Sequence, residues 1–165
     1  MSEDYLEADR EIQWVISLIE QIRSIRSELR IPAGAKVPLI QIKLETIFSE
    51  VLDKNKILIE RLARLSSISI SNQKLDGIVT VPVEGGEFAL DVRDLIDLPT
   101  EKARILKTVK KNNDEIIILK NKILNEKFMT QAPVAVINEA RLRLTELDQN
   151  LIKLSSALNR LKDMD

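Results

Sequence analysis

Toward the C-terminus, apolar residues recur in alternating steps of three and four, at Ile137, Ala140, Leu144, Leu147, Leu151, Leu154, Leu158 and Leu161. This is the seam of a coiled coil, in which each helix buries one stripe against a partner. A second seam in the same register precedes it through Ile105, Val109, Ile116, Leu119 and Ile123, broken only by Asn112. The pattern admits a zipper between two chains or a hairpin within one. A short stretch ending in Ala132 and Pro133 separates the seams, so closing them within one chain costs little entropy, which favours the hairpin. The first helix, about Thr100 to Asn125, spans roughly 39 Å at 1.5 Å per residue. Val109 or Ile116 is expected to pack against the Leu151 to Leu158 section. Such an arm reaches outward and encloses no pocket.

Upstream, Ile12, Val15, Ile16, Ile19 and Ile22 recur at helical spacing. Acidic residues crowd the start of that segment and Arg23, Arg26 and Arg30 its end, which complements the helix dipole. Pro32 and Gly34 stop the helix near Ile31. Val37 to Leu44 reads as a strand buried on both faces, and Glu45 to about Leu65 returns to helical spacing through Phe48, Val51, Leu52, Leu58, Ile59 and Leu62. The period then becomes two. Ile68 and Ile70 alternate with serines, and Ile78 to Val83 and Phe88 to Val92 flank Gly85-Gly86, whose positive φ angles suit a tight hairpin. Asp97 is placed to cap the first arm helix, with Pro99 in its first turn, and Pro133 opens the second. The fold class is α+β: a long helix and a small β-sheet base carrying a long antiparallel coiled-coil hairpin. The divisions fall at residues 1–31, 32–97 and 98–165.

Composition removes whole classes of chemistry. The 165 residues contain no His and no Cys, which excludes the usual zinc sites, thiol nucleophiles, His-dependent triads and disulfides. With glycine only at Gly34, Gly77, Gly85 and Gly86, neither a GxGxxG turn nor a P-loop can be written. No apolar run is long enough to span a bilayer and the first residues are acidic and polar, so a soluble, cytoplasmic protein with no membrane partner is expected. Net charge of −1 conceals an asymmetry: residues 1–99 carry 12 Lys and Arg against 17 Asp and Glu, or −5, and the remainder 13 against 9, or +4. A polyanion suits the basic arm, although solvated coiled coils commonly carry such an excess.

The candidate contacts follow from that asymmetry. Near the far end of the arm lie Lys120, Lys122, Lys127 and Phe128, with Arg141 and Arg143 on the returning helix. Cations beside an exposed aromatic grip phosphate and stack on a base or ribose; alternatively Phe128 closes the seam beneath the turn and the lysines are simply solvated. Arg23, Arg26 and Arg30 share a helix face, which suits a phosphate clamp or merely complements the dipole. Asn112 reads as a register device or as a polar ligand contact. Asp91, Asp94 and Asp97 lack calcium-loop spacing and fit capping and edge solubility better. No catalytic residue, cofactor site or metal site is assigned. A structural or chaperone-like coiled-coil module on a β base, of the prefoldin type, remains the alternative; it calls for apolar residues projecting beyond the seam at the tip.

Three segments carry a more specific signal: IRSIRSELRIPAGAKVPL (Ile22 to Leu39), LIDLPTEKARILK (Leu95 to Lys107) and LNEKFMTQAPVAVINEARLRL (Leu124 to Leu144). In that order and spacing they resemble the C-terminal end of valyl-tRNA synthetases. The turn is the most specific element, with Asn125, Phe128, Ala132 and Pro133 followed by Glu139, Arg141 and Leu142; a position often basic in the family is Gln131 here. The resemblance implies that the first helix is the last of a class I anticodon-binding bundle, that residues 32–97 form a small junction domain, and that the arm binds tRNA along the backbone near its outer corner. It also implies a fragment. The family's HIGH-type histidines and KMSKS-type lysine loop are absent from this sequence, so valine activation, editing, ATP and Mg belong to domains of the parent enzyme, and the chain alone is not expected to be an enzyme. The implied partners are valine-accepting tRNA and the remaining synthetase domains, with no DNA.

Overall fold

A computed structural model describes residues 3–73 and 76–164. The outermost residues of the divisions expected at 1–31 and 98–165 therefore lie outside the described residues. Two compact units emerge, one of Met1–Asp97 with Arg160–Asp165 and one of Leu98–Asn159.

The first unit packs two helices with a four-stranded sheet. α1 (Glu3–Glu28) buries Trp14, Val15, Leu18, Ile19, Ile22 and Ile25, and Leu29 just beyond its end is buried as well. Ile12 and Ile16, which spacing alone puts on the apolar face, are 57% and 41% exposed. The stripe is rotated away from them because Trp14 and Leu18 supply more apolar area to the core. Trp14 stacks on Phe48 with centroids 5.4 Å apart, lies 6.3 Å from Phe88, and donates its indole N–H to the Glu84 carbonyl at 3.0 Å. α1 ends before the proline, in a Schellman motif: Arg30 adopts φ 52°, its N–H reaches the Ser27 carbonyl at 3.1 Å, and the Ile31 N–H reaches the Arg26 carbonyl at 2.9 Å.

β1 (Val37–Leu44), α2 (Thr46–Leu62) and β2 (Leu65–Ile70) form a strand–helix–strand unit whose strands are parallel, with α2 as the crossover. β3 (Ile78–Val83) and β4 (Gly86–Asp91) follow as an antiparallel hairpin, and the sheet order is β2-β1-β4-β3. β1 is central, yet only Val37, Leu39 and Ile40 are buried; its C-terminal half is partly open and Lys43 is exposed, so burial on both faces holds for half the strand. α2 stops at Leu62, short of the expected Leu65, because Arg64 takes φ 53° and turns the chain into β2. In the β3–β4 turn only Gly85 has positive φ, at 75°. Gly86 serves close approach instead, since a Cβ there would lie 2.1 Å from the Lys43 carbonyl oxygen.

The second unit is the arm. α3 (Leu98–Leu124) begins directly after Asp97 with Pro99 in its first turn, and its 27 residues span about 40 Å. A six-residue helix, α4 (Glu126–Gln131), fills the turn, and α5 (Val134–Asp163) returns. Seam positions Ile105, Ile116, Ile137, Ala140 and Leu147 are buried, with Val109, Leu119, Ile123, Leu144, Leu151, Leu154 and Leu158 half-buried. The guanidinium of Arg143 reaches the carboxylate of Glu115 across the pair at 2.8 and 3.1 Å. That contact fixes an antiparallel register in which Val109 lies level with Leu147 and Leu151. Ile116 lies level with Ala140 and Leu144, nearer the turn than the section expected for it.

Candidate nucleic-acid interface

The tip is ordered by local hydrogen bonds that the sequence encodes. Asn125 caps α4: its side-chain oxygen accepts from the Phe128 N–H at 3.0 Å while its carbonyl accepts from the Met129 N–H. Ala132 closes α4 by donating to the Phe128 carbonyl at 2.9 Å, and the Pro133 carbonyl accepts from Val136 and Ile137 as α5 begins. Phe128, half-buried, lies between two open concavities of about 440 and 690 Å³, where the seams alone predicted no pocket. Lys122 lines both, Lys127 and Gln131 line one, and Arg143 lines the other. The structure therefore brings Lys122, Lys127, Phe128 and Arg143 together. Lys120 and Arg141 are exposed on α3 and α5 and border neither concavity.

These cations differ in what they already hold. Among the described residues, the side chains of Lys120, Lys122, Lys127 and Arg141 make no hydrogen bond or ion pair within the chain. Arg143 is engaged, pairing with Glu115 and, at 3.4 Å, with Glu146. Its hydrogen bond to Glu115 raises the arginine and holds the carboxylate below its ordinary range. These four cations are available to an incoming anion without breaking an existing contact.

The base arginines do not form the shared face that their spacing suggested. Arg23 is exposed, whereas Arg26, three residues on and about 60° around the helix, sits in the buried stripe at 7% exposure. Its guanidinium donates to the carbonyls of Ala35 at 2.6 Å, Pro32 at 3.1 Å and Arg64 at 3.1 Å, tying the loop after α1 to the end of α2. Arg30 lies beyond the helix, in the left-handed turn. Arg61 and Arg64 border a surface cavity with Arg23, and Lys36 lines an adjoining one; sequence spacing singles out none of the three. Their signal was the pair Arg61 and Arg64 at a helix end, readable only once α2 is known to finish there.

Among the described residues no group of three or more His, Cys, Asp or Glu side chains is placed to hold a metal ion, and no phosphate-cradling glycine loop exists in the sequence. Among the same residues no helix is long and apolar enough to cross a membrane.

A self-paired helical hairpin with its free cations on the outside defines a class: an arm that offers an extended surface to its partner. Residues 97–162, spanning α3 to α5, match the family model described as valyl tRNA synthetase tRNA binding arm. The chain belongs to the valyl-tRNA synthetase family and corresponds to the C-terminal region of those enzymes. It is similar to the valine–tRNA ligase of Cereibacter sphaeroides, with 43% identity over 95% of this chain and 16% of the relative. Identity is 36% to the ligase of Ruegeria pomeroyi and 34% to that of Mesorhizobium japonicum, again over 95% of this chain, and over 15% and 17% of those relatives. The chain thus spans about a sixth of the length of the curated relatives it matches.

Proposed function

We propose that this chain is the tRNA-binding tail of a valine–tRNA ligase, and that α3, α4 and α5 lie along the tRNA backbone near its outer corner. The observation that carries the reading is the set of unpaired cations at the tip, Lys120, Lys122 and Lys127 with Arg141. They can meet phosphates one by one, and such contacts fix position and orientation without reading sequence. Phe128 is available to stack at the edge of that surface. Arg143 contributes less, because its guanidinium is shared with two carboxylates. Arg23 and Arg30 extend the contact set onto the base, and Arg26 drops out of it because its donors are spent on carbonyls.

On this reading the arm raises affinity and holds the acceptor end toward distant catalytic domains, which supply ATP and Mg chemistry, valine selection and editing. α1 is then the last helix of the anticodon-binding bundle, residues 32–97 are the junction domain, and the setting is the cytoplasm. Selection of valine-accepting tRNA lies mostly elsewhere, since backbone contacts carry little sequence information. A protein-gripping arm is the second reading, favoured by Leu124 and Val134, which stand 81% and 73% exposed near the tip.

Phosphate-ethylation interference on tRNA bound to the parent synthetase separates the two. A backbone-tracking arm gives interfering phosphates on the outer corner, and these signals disappear when Lys120, Lys122 and Lys127 are changed together to Glu. Interference that is the same in the triple variant would refute the assignment.

A further inference from the structure

A second basic site lies within the first unit. The loop after α1 and the end of α2 border a cavity of about 390 Å³ lined by Arg23, Arg26, Arg61 and Arg64 and by no carboxylate. An adjoining cavity of about 520 Å³ shares Arg61 and Arg64 and adds Lys36, with Glu60 the one acid in its lining. This concentration runs against its surroundings, because residues 1–99 carry 12 basic against 17 acidic side chains. Three arginines elsewhere in the unit are matched to carboxylates, Arg10 to Glu84, Arg93 to Asp91 and Arg160 to Glu28, while Arg30 stands exposed in the turn after α1.

In the cleft the partners are different. Arg26 is held by three main-chain carbonyls and Arg64 donates to the Ala33 carbonyl at 2.5 Å, so both guanidiniums are oriented without being neutralised. Among the described residues the side chains of Arg23, Arg61 and Lys36 make no hydrogen bond or ion pair at all. Burial, and then the charge of Arg64, push the Arg26 guanidinium below its usual value, as expected where like charges gather without a counter-ion. Planar guanidinium forks beside an open cavity match the oxygens of a phosphate group, and fixed neighbours reduce the entropy lost on binding it.

We propose that this arginine cleft is a phosphate-binding site, in which Arg23 and Arg61 close on the anion beside Arg64, while the buried Arg26, its donors held by carbonyls, lends only its charge from beneath. The phosphate is either a phosphodiester of an RNA backbone or a free phosphate ion. None of its residues belongs to the second unit, so the site is separate from the arm, although it shares Arg23 with the contact set proposed above.

The test is nitrogen–proton NMR of the 165-residue chain, including arginine Nε resonances, titrated separately with a short RNA duplex and with inorganic phosphate. The cleft predicts saturable shifts at Arg23 Nε, Arg61 Nε and the Ala33 and Ala63 amides. Arg23→Gln combined with Arg61→Gln removes them while the rest of the spectrum keeps its positions, because both side chains are exposed and hold nothing in the fold. Shifts with the duplex at lower concentration than with phosphate assign the site to RNA, and the log affinity against log salt slope then falls by about 0.7 to 0.9 per contact removed. Shifts with phosphate alone assign it to the free ion. Silence of these resonances with both probes, or equal shifts in the double variant, would overturn the proposal. Loss of the arm contacts would read out on different resonances, those of α3, α4 and α5.

Discussion

Asn112 stands in the buried stripe of α3 at 6% exposure, and its side-chain nitrogen has no hydrogen-bond partner. An unsatisfied buried donor costs about 1 to 3 kcal/mol, so a residue of this kind lowers the stability of the seam while penalising pairings that would bury it elsewhere. Replacing it should therefore strengthen the arm. Asn112→Leu is expected to raise arm stability by about 1 to 3 kcal/mol, read as a rise in urea midpoint of the helical signal; a fall would mean that the amide is satisfied in solution. The sequence marked Asn112 because it interrupts an apolar stripe, and burial removes it from any ligand surface. Arg26 was less legible. Its spacing from Arg23 is the same whether it faces solvent or core, and only the three carbonyls that converge on it decide the matter.

At the scale of elements, the two seams fixed the arm's helices well because a three-four alternation sustained over many turns has no competing period. Their pairing within one chain makes Leu147, 2% exposed, part of an intramolecular core. Leu147→Ala should cost about 2 to 5 kcal/mol of arm stability. Amides of α3 and α5 then exchange faster with solvent, while β1 and β4 keep their protection. Concentration-dependent protection of the arm would instead indicate a zipper between chains. Six residues are too few for periodicity to register α4, although Asn125 followed by Glu126 is a readable helix start. Isoleucine spacing locates α1 but not its face, since it includes the exposed Ile12 and Ile16 and omits the buried Trp14 and Leu18. The end of α2 hinged on Arg64 in a left-handed conformation, which sequence rarely announces for a residue other than Gly or Asn.

Over the whole molecule, the contrast between an acidic base and a basic arm was legible from counting, and the family from three short segments. What counting could not supply was which charges are already spent: Arg104 on Glu101, Arg143 on Glu115, Arg160 on Glu28. Once those are set aside, the tip lysines remain among the exposed, unpaired cations with which the arm can meet a polyanion. The salt dependence of tRNA binding by the parent synthetase tests this most directly, comparing the wild type with Lys120→Glu, Lys122→Glu and Lys127→Glu combined. If all three side chains meet phosphates, the variant binds more weakly and its plot of log affinity against log salt is shallower by about 2 to 3 units, at 0.7 to 0.9 per contact. An unchanged affinity and slope in a folded triple variant would contradict the account and leave the arm without its proposed hold on tRNA.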